Sequence, residues 1–303
     1  MKIGIDLGGS HVGVGLVEED KLIDTVDKIF TEEEKKDIEV SILNNIDMAI
    51  NKLLTAHNMK IEDIERIGIA SPGTISNGVI VKAGNLGIYN FDLVSKMKEK
   101  YPVPVHMRND GKCAALAEKK FGAMKDYDEC VFVNIRTGIG GAVFLEGSLL
   151  EPKKYSGFEL GHMIIEKDGI PCTCGKKGCF ERYCSIRSLK ERITKTLGIE
   201  NRDISGQYMR EELMVKYHDE VKKDLEDFLD HLVVGIGNLI DIFEPEVICF
   251  GGSFSYYEGN PLLEEFIRRI NSKNTTFNEG NKPKFVTAIL KNNAGIIGAT
   301  IER

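Results

Sequence analysis

One pattern occurs twice in this chain, and it limits the fold more than any other feature. Residues 2–6 read as a strand that runs into Gly8-Gly9 and resumes as a second strand at 12–17. Residues 130–135 read the same way, followed by the glycine turn Thr137-Gly138-Ile139-Gly140-Gly141 and a strand at 142–145. Strand, glycine turn, strand thus recurs about 130 residues apart, a period that signals duplicated domains rather than a solenoid of short repeats. Residues 22–29 extend the first pair into a β-meander. Ile38, Ile42, Ile46, Ile50 and Leu53 then fall at helical spacing within residues 34–56. Strands return at 66–70 and 103–107, the second followed by a helix from Gly111 to Phe121. The longest helical pattern spans 222–242. A strand at 246–250 enters Gly251-Gly252-Ser253, and a last strand at 285–289 precedes a helix over 294–301. Strands and helices mixed in this way predict an α/β fold. No linker separates the halves, so the cleft between two packed domains is the default ligand site.

The stretch from Glu159 to Glu181 reads ELGHMIIEKDGIPCTCGKKGCFE. His162, Cys172, Cys174 and Cys179 supply one imidazole and three thiolates, a donor set that suits a closed tetrahedral Zn²⁺ site with a structural role. Gly175 and Gly178 let the loop fold back so that Cys174 and Cys179 share one ion. Glu159 and Glu181 flank the ligands. Two carboxylates and an imidazole fixed by a metal suit recognition of a polyhydroxylated ligand. The plainer reading of the same residues is a zinc ribbon that only stabilises the fold. A disulfide fits less well, because Cys172 and Cys174 are too close to bridge comfortably.

Composition narrows the function. The chain has 303 residues and a net charge of −7, which argues against a nucleic-acid surface. No hydrophobic stretch approaches membrane-spanning length, and the first residues enter a strand directly rather than reading as a signal peptide. Cys113, Cys130, Cys184 and Cys249 show no regular spacing and read as reduced thiols, which points to a cytoplasmic protein. The charged run at 32–36 reads as a solvated helix start.

Several positions carry chemistry. Asp6-Leu7-Gly8-Gly9-Ser10 sits at the first hairpin tip, where glycines let backbone N–H groups approach phosphate oxygens and Asp6 can hold Mg²⁺ through water. Thr137 and Gly138 are the counterpart in the second half. Asn109-Asp110 follows a strand and opens a helix; Asp110 is either a helix cap or a general base at a strand's carboxyl end. Gly251-Gly252-Ser253 reads as a turn against a flat adenine or ribose, or as an ordinary strand–helix turn. Gly73, after Pro72, and Asn85 line a sugar pocket or serve as turn residues.

Together these residues resemble the ROK family of bacterial sugar kinases, N-acetylmannosamine kinases and sugar-responsive repressors, from Lys2 to the final helix. The resemblance implies the actin-like ATPase fold: two ribonuclease-H-like domains around a cleft, one at 1–111 plus 290–303, the other at 112–289 with its zinc loop at 162–179. It implies a homodimer or homotetramer. It makes Asp110 the catalytic base and Gly73, Asn85, Asn109, Asp110, Glu159, His162 and Glu181 the sugar site. Asp6, Gly8, Gly9, Ser10, Thr137, Gly138, Gly251 and Gly252 would bind ATP and Mg²⁺. Two positions depart from the family pattern. Arg136 stands where glycine normally precedes the threonine of the second turn, and Ser10-His11 replaces a commoner Thr-Lys. The expected activity is phosphorylation of a hexose, with glucose favoured because AGNLGIYNFDL around Asn85 resembles the glucokinases. The alternatives are an N-acetylmannosamine kinase and an inactive sugar sensor. A repressor is disfavoured, since the first phosphate loop begins at Asp6 with no room for a DNA-binding module before it.

Overall fold

Alternating apolar residues at the start of the chain produce an antiparallel meander of β1 (Lys2–Leu7), β2 (His11–Glu18) and β3 (Lys21–Ile29). Ile3, Ile5, Leu7, Val12, Val14 and Leu16 are fully buried. Helix α1 (Ile38–Ala56) lays Ile42, Ile46, Ile50 and Leu53 into the same core. The structure is a computed structural model and describes residues 1–19, 21–151, 158–200, 204–272 and 282–302. It divides into two compact units, the first made of Met1–Lys125, Glu151–Gly157 and Leu290–Arg303.

The first unit continues with β4 (Ile67–Ser71), β5 (Thr74–Ser76), β6 (Val79–Ala83), β7 (Ile88–Phe91), α2 (Leu93–Lys100), β8 (Val105–Asn109) and α3 (Asp110–Phe121). Its main sheet has the order β3-β2-β1-β4-β8, and β1, β4 and β8 run parallel. All five residues of β4 are buried, as expected of a parallel strand covered on both faces. The short strands β5, β6 and β7 form a separate antiparallel sheet.

The helix Ala294–Ala299 closes this unit by backbone contact. A Cβ on Gly4 would lie 2.1 Å from the Ile296 carbonyl oxygen, and one on Gly68 1.8 Å from that of Ala299. One on Gly298 would lie 1.7 Å from the carbonyl oxygen of Cys113 in α3. Nothing flexible stands in the way, so the backbones themselves must part. Gly298→Ala is therefore expected to destabilise the protein by about 1–3 kcal/mol or more, the range for overpacking. Urea unfolding measures it; an unchanged midpoint would mean that the helix does not sit this close to α3.

The second unit is Asp126–Leu150 with Phe158–Ile289. Its elements are β9 (Cys130–Ile135), β10 (Ile139–Leu145), β11 (Ser148–Leu149), α4 (Glu181–Cys184), α5 (Ile186–Leu197), α6 (Gly206–Tyr208), α7 (Met214–Lys216), α8 (His218–Phe243), β12 (Val247–Gly251), α9 (Pro261–Ser272) and β13 (Lys284–Thr287). The sheet order is β11-β10-β9-β12-β13, with β11-β10-β9 antiparallel and β9, β12 and β13 parallel. Position for position this repeats the first unit's sheet. The duplication expected from the two glycine turns is thus present in the topology. An aromatic cluster fills the core: Phe250 meets Phe254 and Phe266 edge-on, at centroid distances of 5.3 and 5.6 Å.

Three expectations are corrected. The domain boundary at 111/112 falls inside α3; the first unit runs on to Lys125, because α3 packs against the helix Ala294–Ala299. Gly140 and Gly141 are not turn residues but part of β10, and the turn is confined to residues 136–138. A Cβ on Gly141 would lie 2.3 Å from the carbonyl oxygen of Phe132 and 2.6 Å from the Leu160 side chain, so close packing rather than turning explains that glycine. The final helix ends at Ala299 rather than at residue 301.

Candidate functional site

Sheet register gathers the first unit's chemistry. Asp6 pairs with Ala70 across β1 and β4, and Ala70 with Arg108 across β4 and β8. Asp6, Gly73 and Asn109-Asp110 therefore lie at or just beyond the carboxyl ends of three adjacent parallel strands, the edge at which open α/β sheets bind ligands. At the glycine turn, Gly8 N–H donates to the His11 carbonyl at 2.9 Å. A Cβ on Gly9 would meet Asn85 Nδ2 at 2.7 Å, so Asn85, between β6 and β7, lies over that turn. A Cβ on Gly295 would lie 2.8 Å from the Asp6 carboxylate, so the first turn of the helix Ala294–Ala299 abuts it.

Asn109, not Asp110, caps α3. Its Oδ1 accepts from Gly111 N–H at 3.0 Å and Lys112 N–H at 3.3 Å, while Nδ2 donates to the Gly73 carbonyl at 3.3 Å. Asp110 is the first helical residue, and its Oδ1 accepts from Gly111 N–H at 2.8 Å. Gly73 has φ +83°, and a Cβ there would strike the Lys82 carbonyl oxygen at 2.1 Å. Asn109→Ala should cost about 1 kcal/mol of stability through the lost cap. Asn109→Asp keeps the acceptor and should recover most of that loss. Equal destabilisation by both in thermal unfolding would show that the Gly73 contact, not the cap, matters.

In the second unit, one nitrogen of His162 and the sulfurs of Cys172, Cys174 and Cys179 all lie within 4.8 Å of one another. Cys174 Sγ and Cys179 Sγ are 3.5 Å apart, and Cys172 Sγ and His162 Nδ1 3.6 Å. Tetrahedral zinc with Zn–S of about 2.3 Å and Zn–N of about 2.0 Å puts its ligand atoms roughly 3.5–3.8 Å apart, so the cluster fits that ion. The loop holds itself together: Cys172 N–H donates to the Lys176 carbonyl, and Lys176 Nζ donates to that of His162, each at 2.8 Å. Gly178 has φ +77° and passes so close to the Glu166 carbonyl that no side chain fits. Phe180, fully buried, seats the loop on Gly235 of α8.

Burial pushes the Cys172 thiol up and, with hydrogen bonds among the three sulfurs, pushes Cys179 up to about 12. Burial also opposes ionisation of Cys174, but the Lys176 backbone N–H and the neighbouring thiols outweigh it and lower that group. A divalent cation reverses this penalty by favouring thiolates outright. All seven cysteines are free of disulfides.

Glu181 opens α4 and faces two ways. Oε1 lies 3.7 Å from His162 Nδ1 and 3.4 Å from Cys172 Sγ. Oε2 accepts from Ile139 N–H at 3.4 Å and lies 2.6 Å from where a Gly138 Cβ would be. The structure thus brings Glu181, His162 and the second glycine turn together. Glu159 is exposed at the start of the turn Leu160–His162, where its carbonyl accepts from His162 N–H at 2.9 Å.

Gly251 ends β12, and Gly252 turns with φ +65° into a 3₁₀ segment, Gly252–Tyr257. Beside it is a cavity of about 360 Å³ lined by Ile186, Gln207, Arg210, Ser253, Tyr256 and Tyr257 among others. Arg210 holds its guanidinium 5.8 Å from the Tyr256 ring and 5.6 Å from Tyr257. The sequence marked Gly251 and Gly252 but not Arg210 or the two tyrosines. Two adjacent tyrosines beginning four residues beyond the glycine pair were the available signal.

Two units with the same five-strand order, each carrying a glycine turn between its antiparallel strands, define a duplicated α/β fold. The Streptomyces griseus ROK family glucokinase, solved with glucose and AMPPNP, superposes with a TM-score of 0.81 at 22% identity, over 99% of this chain and 97% of that one. The chain belongs to the ROK family, whose model matches residues 2–301. It is 30% identical to the xylose repressor of Bacillus subtilis (strain 168) over 98% of this chain and 75% of the repressor. It is 29% identical to a glucokinase of Halalkalibacterium halodurans over 98% of this chain and 92% of that enzyme.

Proposed function

We propose that this protein is an ATP-dependent hexose kinase that phosphorylates glucose on its 6-hydroxyl. The observation that carries the reading is the division of work at Asn109-Asp110. Asn109 caps the helix, so Asp110 is not required for that task, and its carboxylate stands at the carboxyl edge of the parallel strands. Asp110 accepts the proton of the attacking hydroxyl as the sugar oxygen forms its bond to the γ-phosphorus and ADP leaves. Asn109, Glu159, His162 and Glu181, with Gly73 and Asn85, orient the ring. The turns at Gly8-Gly9-Ser10 and Thr137-Gly138 hold the phosphates with Mg²⁺, which Asp6 binds through water. Gly251 and Gly252 with the adjoining cavity take the adenosine, whose flat base suits the Arg210–tyrosine lining. His162, Cys172, Cys174 and Cys179 hold a Zn²⁺ that supplies structure rather than chemistry, since four protein ligands leave no open position. The protein works in the cytoplasm as a homodimer or homotetramer.

A coupled ADP-release assay with glucose, mannose, fructose, N-acetylglucosamine and N-acetylmannosamine tests the reading. Glucose should give the highest kcat/KM. Preference for N-acetylmannosamine would reassign the substrate while keeping the mechanism. The likeness to a xylose repressor favours one other reading, a sugar-binding regulator without kinase activity. Sugar binding by calorimetry with no ADP release from any sugar would establish it.

A further inference from the structure

The second glycine turn carries a charge problem. Its Ile139 N–H already donates to Glu181, whose other oxygen faces the metal ligands. A carboxylate at that point repels phosphate and occupies one of the amides that would cradle it. The turn needs a compensating positive charge.

Arg136 stands at the start of the turn, where the family pattern expects glycine. Its backbone is pinned on both sides: its N–H donates to the Gly138 carbonyl, and its own carbonyl accepts from Ile186 N–H, each at 2.9 Å. Its side chain is exposed, and among the described residues it makes no ion pair. Arg187 is the next residue after Ile186. Arg187 is likewise exposed and likewise without an ion pair among the described residues. Ile186 itself lines the cavity next to Gly252. Two exposed arginines therefore flank the backbone hydrogen bond that joins the turn to the cavity-lining Ile186, while the cavity's own Arg210 is bonded to Glu211.

We infer that Arg136, assisted by Arg187, is a donor-binding residue that engages the phosphate chain of the nucleotide at the second glycine turn. The inference rests on the reading of this region as a nucleotide site. A guanidinium presents a planar fork of donors to phosphate oxygens, which a glycine turn lacks and a lysine offers only as a point charge.

The test is calorimetric, on the full chain, with magnesium AMPPNP, magnesium ADP and adenosine as probes. Arg136→Gln should weaken AMPPNP binding on the order of tenfold, the scale of one lost charge-assisted hydrogen bond. It should leave adenosine affinity unchanged and reduce the sensitivity of AMPPNP binding to added salt. Arg136→Lys should recover part of the loss, and Arg187→Gln should show a smaller effect of the same kind. Unchanged or tighter AMPPNP binding by Arg136→Gln overturns the inference and leaves the kinase reading standing. Equal losses for AMPPNP and adenosine also overturn it, because they mark a residue that only shapes the turn. Failure of the wild-type protein to bind any of the three probes overturns both.

Discussion

Asp110→Asn is expected to lower kcat by on the order of 10²-fold or more, the scale of a lost general base. The amide keeps the side chain's shape and can still hydrogen-bond a sugar hydroxyl, so glucose affinity by calorimetry should survive. Stability should change little. The helix keeps its cap at Asn109, and the favourable placement of an acid in the first turn is worth about 0.3–1 kcal/mol. This separation makes the experiment decisive: a fall in kcat with intact sugar binding and folding belongs to the proton transfer. Near wild-type kcat would reduce Asp110 to a residue of the first helical turn and remove the proposed mechanism.

Loss of the proposed metal site should have the next largest effect. Cys174→Ser removes one of four clustered ligands. Elemental analysis should find about one zinc per wild-type chain and almost none in the variant. The consequence for sugar follows from Glu181 and His162, which touch the cluster directly. With the ion gone, both lose their fixed orientation, and kcat/KM for glucose should fall about 10–100-fold, the range seen when support around a metal is removed. Strong chelation of the wild-type protein should reproduce the loss, and added Zn²⁺ should restore it. Full activity in a zinc-free protein would leave the cluster as four cysteine and histidine side chains that merely lie close.

The parts of the site legible in the sequence were those fixed by local spacing. The three cysteines and His162 lie in a short loop whose turns need glycine, so their clustering could be read from spacing. The meander could be read from branched apolar residues at every second position, Ile3, Ile5 and Leu7 in β1 and Val12, Val14 and Leu16 in β2. What resisted reading depended on partners distant in sequence. The strands β5, β6 and β7 are brief and broken by Asn77-Gly78 and Gly84-Asn85, so Gly73 and Asn85 read as loop chemistry although a small sheet carries them. Gly140 and Gly141 looked like a turn because the neighbours that explain Gly141, Phe132 and Leu160, are supplied only by the folded sheet. Whether Asp110 caps α3 stayed open in the sequence, since Asn and Asp are both good caps and only geometry separates them. The carboxylate of Glu181 against Gly138 had no local signature at all; it arises from packing of α4 on the β9–β10 turn.

The helix Ala294–Ala299 also fixes an order of events during synthesis. The ribosome makes residues 1–125 first, and all five strands of their main sheet are present by Asn109, yet the sheet stays uncovered at Gly4 and Gly68 until this late segment arrives to lie on them and on α3. At about 5–20 residues per second, the wait is roughly 10–35 s. The second unit, encoded within the interval, receives its last strand, β13, just before that helix. The half translated first is therefore the half completed last. In the nascent chain the surface of β1 and β4 that awaits the helix stays open to solvent or to a chaperone for longer than any surface of the second unit.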